Sequence, residues 1–166
     1  VVIAAIGFAT NLAPLLRSPP DEISPLGGRE LVAQKVKRIV WQGGWYPKRH
    51  LPIRGNAAEN EFNWGCGKRW YDSTPCDGEA AFAVMRMPPT VEQIFSEVGG
   101  EIGTGGRDVL ACAPETNPCR QAFQRTLTAW NQDPQGGRAS WDPVVTLVAV
   151  RGVQAIPGAY TVRGVQ

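Results

Sequence analysis

A chain of 166 residues, 43% of them hydrophobic and 19% charged, is long enough for one globular domain with a buried core. The 17 basic and 15 acidic residues leave a net charge of +2, which gives no electrostatic case for binding nucleic acid or an anionic membrane surface. No apolar run approaches the roughly 20 residues needed to span a bilayer, so no membrane segment is predicted.

The first part of the chain alternates apolar runs with helical patterns. Val1–Gly7 is rich in β-branched residues and alanine, which predicts a buried strand and not a signal peptide. Thr10 or Asn11 can cap the helix that follows it. The next predicted elements are a loop at Ser18–Gly28, a helix at Arg29–Lys37 and a buried strand at Arg38–Gln42.

A long irregular stretch, Trp45–Cys76, separates the two parts of the chain. It is far longer than an ordinary connection between elements, which indicates a functional or family-specific role. The predicted elements after it are helix Gly78–Met87 capped by Asp77, strand Val91–Val98, helices Asn117–Asn131 and Ser140–Arg151, and strand Ala159–Val162.

Strands that alternate with helices on short connections predict an α/β fold. We expect an open, mostly parallel, Rossmann-like sheet with helices on both faces. Ligands bind such sheets at the carboxyl ends of the strands. Three loops have that position: Phe8–Asn11, Gly43–Asn63 and Gly99–Gly106.

Four cysteines form two close pairs, Cys66 with Cys76 and Cys112 with Cys119. Neither pair has the C-x-x-C spacing of zinc or redox sites, and His50 is the only histidine, so no zinc site is expected. The alternatives are two local disulfides, which would imply an oxidising compartment, and four buried free thiols. The sequence gives no other indication of the compartment.

Four segments, in order along the chain, resemble motifs of the inosine-uridine-preferring nucleoside hydrolase family. GFATNLAPLL is similar to that family's G-P-L-T-N-L-A at a strand-to-helix turn, and RIVWQGG is similar to its strand ending in Met-Gly-Gly. GNAAENEFNW and CDGEAAFAV resemble its A-E-F-N and D-P-E-A-A, and SWDPVVTLVAVRG resembles its H-D-P-L-A. Each motif is weak alone, but together they span nearly the whole chain in the right order.

The resemblance implies that residues 1–166 are the C-terminal portion of one nucleoside hydrolase-like domain. The sequence begins within the apolar run that predicts a core strand, with no polar residues before it, and this agrees with that expectation. Members of the family cleave the N-glycosidic bond of ribonucleosides with water activated by Ca²⁺, a hard cation that takes six to eight oxygen ligands.

Motif positions imply site residues. Thr10 matches a threonine whose backbone carbonyl binds the calcium ion, and Asp142 matches a carboxylate ligand. Glu61 and Asn63, two apart on an extended stretch, would face the ribose hydroxyls together, and Asn56 matches a Gly-Asn asparagine, though one residue closer to Glu61 than usual. Without the resemblance, Thr10 is a helix cap, and Asp142, at the second position of a helix capped by Ser140, complements the helix dipole.

At several motif positions the sequence differs from the nucleoside hydrolase family. Its N-terminal D-x-D-x-G-x-D-D motif, which supplies most calcium ligands and the general base, has no counterpart in this sequence. Trp141 stands where the family has a histidine, and an indole can stack on a nucleobase but cannot give it a proton. Gln42 replaces a methionine, and an insertion fills Gly65–Cys76.

Three hypotheses follow. The chain is an N-ribosyl hydrolase that needs a separate N-terminal half; it is a non-catalytic relative with a structural or binding role in a larger assembly; or it is a catalyst by itself. The third is disfavoured because two ligands cannot hold calcium against water. Retention of Glu61, Asn63 and Asp142 favours the first hypothesis, whereas Trp141 and Gln42 favour the second.

Overall fold

A computed structural model describes residues 1–43, 78–96 and 99–159 of the chain. Contacts between residues divide the chain into two compact units, Val1–Glu97 with Val145–Gln166, and Val98–Val144. Helices and strands occur together, and the largest sheet is small and parallel. The predicted combination of helices with a parallel sheet is therefore confirmed.

The sheet of the first unit has three strands in the order β1-β2-β3. They are β1 (Val2–Ala5), β2 (Arg38–Gln42) and β3 (Glu92–Ser96), and both pairings are parallel. The central strand is the most buried because its sequence, RIVWQ, is almost entirely apolar between its ends. Trp41 stacks on Phe95 of the neighbouring strand with ring centroids 6.3 Å apart, which fixes the register of that pair.

Helix α1 (Leu12–Arg17) contacts two other helices of this unit, α2 (Gly28–Lys35) and α3 (Gly78–Met85). Apolar side chains from these helices and the sheet form one buried cluster. It includes Ala13, Leu16, Val32, Ile39, Trp41 and Val84. The unit is therefore organised by a single core in which β2 is the most enclosed element.

The start of α1 differs from the prediction. A 3₁₀ turn, Ala9–Asn11, precedes the helix, and the Asn11 side chain makes no capping hydrogen bond. The backbone N–H of Leu12 donates instead to the carbonyl oxygen of Ala9. The expected side-chain cap was wrong because the tighter turn already satisfies a backbone donor there.

The start of α2 also differs, by one residue. The predicted loop Ser18–Gly28 ends at Gly27, and the backbone N–H of Gly28 donates to the carbonyl oxygen of Ser18 over 2.8 Å. A Cβ atom on Gly28 would lie 1.6 Å from the carbonyl oxygen of Leu15. Only glycine therefore allows α1 and α2 to approach this closely.

The described part of the second unit contains two complete α-helices, a 3₁₀ turn (Pro134–Gly136) and a short antiparallel ladder. The helices are α4 (Arg107–Cys112) and α5 (Pro118–Ala129), and β4 (Gly103–Thr104) pairs with β5 (Arg138–Ala139). Asn117 caps α5 by accepting a hydrogen bond from the N–H of Arg120. Helix α6 (Trp141–Arg151) begins in this unit.

Several predictions are confirmed within a few residues, namely β2, β3, α3, α5 and α6. The sequence analysis did not predict α4 or the β4–β5 ladder. The described residues do not include Asp77 or the stretch Trp45–Cys76. Of the strand predicted at Ala159–Val162, they include only Ala159. Among the helices described, none is long and apolar enough to cross a membrane.

Gly28→Ala should destabilise the protein by about 1–3 kcal/mol, because the added methyl group would overlap the backbone of α1. Gly7→Ala is the matched control, since a Cβ there would meet nothing within 4 Å. Urea unfolding of both variants measures the difference. Equal midpoints would show that the close contact between α1 and α2 is not required.

Candidate functional site

The carboxyl ends of the three parallel strands lie at one edge of the first unit's sheet. Thr10 follows β1 at this edge, in the 3₁₀ turn, and is exposed. Pro14 stands four residues later and has no N–H, so it cannot donate the helical hydrogen bond that the Thr10 carbonyl would otherwise accept. Gln42 and Ser96 end the two neighbouring strands. This edge therefore offers polar groups after each strand.

In the second unit, the candidate site is built around the start of α6. Ser140 precedes the helix and is only 2% exposed. Its backbone N–H donates to the carbonyl oxygens of Gly99 (2.8 Å) and Ile102 (2.9 Å), and its hydroxyl is hydrogen-bonded to the hydroxyl of Thr104. These bonds tie the start of α6 to the loop that follows β3 and to β4.

Trp141, the first residue of α6, is held closely by this loop. A Cβ on Gly99, whose φ is +132°, would lie 2.6 Å from the Cα of Trp141. A Cβ on Gly100 would lie 3.2 Å from the indole Nε1. The backbone of the loop therefore packs directly on Trp141, and the indole remains 39% exposed.

Arg138 connects Trp141 with a second indole. Its guanidinium carbon lies 5.3 Å from the ring centroid of Trp141 and 4.9 Å from that of Trp130, which is 54% exposed. Both distances are within the range of cation–π attraction. Arg138 itself is placed by β5, where it pairs with Thr104. Two exposed aromatic rings and a cation thus form one group, the Trp130–Arg138–Trp141 cluster.

Asp142 occupies the second position of α6, as predicted. Although the residue is exposed overall, partial burial of its carboxyl raises the pKa above the ordinary value, and the positive charge of Arg138 opposes that rise. Desolvation is the larger of the two effects. Burial therefore disfavours the carboxylate form, and the positive charge of Arg138 offsets part of that effect.

The predicted site residues are only partly brought together. Trp141 and Asp142 lie side by side in the second unit with Arg138, and Thr10 belongs to the first unit. Asn56, Glu61 and Asn63 lie outside the described residues. In the ranges that the structure describes, no three His, Cys, Asp or Glu side chains are grouped as metal ligands.

The cysteines give a further correction. Cys112 and Cys119 are free and exposed, which agrees neither with a disulfide nor with buried thiols. The loop between them is closed by Arg120, whose guanidinium Nη1 donates to the carbonyl oxygen of Ala113 over 2.7 Å. Cys66 and Cys76 lie outside the described residues, so their pairing stays a prediction.

Sequence reasoning missed Trp130 and Arg138 as possible site residues. Their proximity to Trp141 depends on the two-residue β4–β5 ladder, which is too short to produce a periodic signal. The glycine pairs at 99–100 and 105–106 were a usable indication, because paired glycines often mark a close approach of backbone to another group.

The chain was compared with protein-family models, curated proteins and solved structures. None of the three comparisons finds a match.

The carboxyl of Asp142 should titrate above the usual value of about 3.9 for aspartate in metal-free buffer. Because the folded chain then binds this proton more tightly than the unfolded chain, the group's stabilising contribution is complete below the unfolded pKa. It is lost as the pH rises through the folded pKa. Carbon-detected NMR of the Asp142 side chain measures the midpoint.

Arg138→Gln should raise that midpoint further, since it removes the charge that lowers the pKa. Arg125→Gln, at an exposed position of α5, controls for a general change of charge. A midpoint that Arg138→Gln leaves unchanged would show that the guanidinium and the carboxyl do not interact.

Proposed function

We propose that the chain is the C-terminal portion of an N-ribosyl hydrolase that cleaves the N-glycosidic bond of ribonucleosides and acts only with an N-terminal half. The observation that carries the proposal is the start of α6. There an exposed indole and a carboxyl that gains from a cation are neighbours on a backbone held by buried hydrogen bonds. The resemblance of SWDP to the family's last motif assigns them to nucleobase and calcium.

Asp142 is suited to binding a hard cation. Burial disfavours the charged form of its carboxyl, and a bound calcium ion would favour that form. Thr10 would add its backbone carbonyl, which Pro14 leaves without a helical donor. These two ligands fall well short of the six to eight that calcium takes, so the remaining ligands must come from elsewhere.

The other assigned residues would hold the substrate. Trp141 offers an aromatic face on which a nucleobase can stack. Glu61 and Asn63 would bind the ribose hydroxyls, with Asn56 beside them, as the resemblance implies. Bound calcium would lower the pKa of a water molecule and so supply the nucleophile. The general base would reside in the acidic motif of the N-terminal half.

The finer fold assignment belongs to the same proposal. Three adjacent parallel strands, with an irregular loop or turn after β1, support an open Rossmann-like sheet. In such a sheet the binding crevice lies beyond the carboxyl ends of the strands, which is the edge where Thr10 follows β1.

A non-catalytic subunit is the second candidate, and the residue at position 141 favours it. An indole has no proton that it can give to a departing base, so the usual histidine chemistry is lost there. On this alternative the chain would contribute a structural or binding surface to a larger assembly.

The chain alone should release no ribose from inosine or uridine, with or without calcium, because both the general base and most metal ligands are missing. General base catalysis alone contributes about 10²–10⁴-fold. Adding a separately produced N-terminal half that carries D-x-D-x-G-x-D-D should restore turnover. A reducing-sugar assay measures the released ribose.

In the reconstituted pair, Asp142→Asn should abolish turnover, whereas Asp108→Asn, at an exposed position of α4, should leave it unchanged. Hydrolysis by the isolated chain that survives a chelator would contradict the metal-site proposal. A reconstituted pair that stays inert with several ribosides would favour the non-catalytic subunit.

A further inference from the structure

We infer that the Trp130–Arg138–Trp141 cluster is a binding site for a planar heteroaromatic ring that is negatively charged, either on the ring or on a substituent of it. The inference rests on the proposed function in one respect, namely that the ring is a nucleobase. It goes beyond that function by assigning Arg138 and Trp130, and by stating the charge of the bound group.

The position of the cation is the first argument. The Arg138 guanidinium lies over both indole rings, 4.9 Å and 5.3 Å from their centroids, so its charge is close to a ligand ring that stacks on either indole. A guanidinium carries five N–H donors. Among the described residues, the Arg138 guanidinium makes no side-chain hydrogen bond or ion pair within 4 Å, so its N–H groups can donate to a ligand.

The exposure of the aromatic rings is the second argument. Trp130 and Trp141 are 54% and 39% exposed, although indoles are among the side chains that gain most from burial. Trp141 is also fixed by the backbone of Gly99 and Gly100, so little ordering is required when a ligand stacks on it. Two exposed indoles, one of them preordered, beside a guanidinium are typical of a ligand site rather than of a packed core.

Asp142 limits what the site can accept. Its charge interacts with that of Arg138 and would weaken the binding of an anion as long as no cation neutralises it. A metal ion at Asp142 and an anionic ring at Arg138 would therefore favour each other.

The inferred ligand also fits the proposed reaction. When the C1′–N bond of a nucleoside breaks, its electron pair leaves with the base, and the ring bears negative charge until water protonates it. Trp141 supplies no proton at this step. Arg138 would stabilise the departing ring by its positive charge and by hydrogen bonding.

Uracil and orotate provide a matched pair of probes, because orotate is uracil with a carboxylate on the ring. NMR shifts of the indole N–H groups in the full chain, without metal or an N-terminal half, give both dissociation constants. Orotate should bind about tenfold more tightly than uracil, the effect of one charge-assisted hydrogen bond at a partly exposed site. The shifts should occur at Trp130 and Trp141, which phenylalanine variants assign.

Arg138→Gln should make the two dissociation constants similar, because it should weaken the binding of orotate and leave that of uracil unchanged. Arg138→Lys should keep part of the preference for orotate. Asp142→Asn should strengthen orotate binding severalfold, whereas Arg125→Gln should change neither constant. Thermal unfolding confirms that each variant is folded.

Equal binding of the two probes, no binding of either, or a preference that survives Arg138→Gln would overturn the inference. Because no turnover is measured, this result is separate from the hydrolase proposal. A reconstituted enzyme that works while the probes fail would remove only the role of Arg138 and Trp130.

Discussion

The N–H of Ser140 is buried, and a buried backbone donor must find an acceptor or destabilise the fold. Two carbonyl oxygens of the loop after β3 accept from it, and the Ser140 hydroxyl bonds to Thr104. This arrangement fixes where α6 begins and therefore where Trp141 and Asp142 lie. Gly99 follows from it, because a side chain there would overlap the backbone of Trp141, and a side chain at Gly100 would be a tight contact with the indole.

The charge distribution around the start of α6 depends on the same bonds. Thr104 binds Ser140 through its side chain and pairs with Arg138 through its backbone, so one residue links the helix start with the cation. The guanidinium then lies near two indoles and interacts with the Asp142 carboxyl. The guanidinium and the carboxyl therefore place opposite charges at neighbouring points beside an aromatic ring, as the proposed binding of a nucleobase and a metal ion requires.

Local signals account for what the sequence predicted well. The RIVWQ run is apolar enough to predict β2, and Asn117 before Pro118 marks the start of α5. The misses came from contacts between distant segments. Gly28 is required by the carbonyl of Leu15, and Arg138 meets Trp130 and Trp141 only through a two-residue ladder. Neither feature has a periodic or compositional signature. Asp142 was predicted correctly as the second residue of α6, but its raised pKa depends on burial that sequence alone does not reveal.

The central claim is that Asp142 binds calcium next to an indole when the N-terminal half is present. Terbium binds to oxygen-rich calcium sites and luminesces when a nearby tryptophan is excited, so Trp141 is a built-in sensor. Titrating terbium into the reconstituted pair under tryptophan excitation should produce saturable luminescence that calcium displaces. Asp142→Asn should abolish that signal, and Trp141→Phe should reduce it without weakening terbium binding. A signal that Asp142→Asn leaves intact would contradict the account.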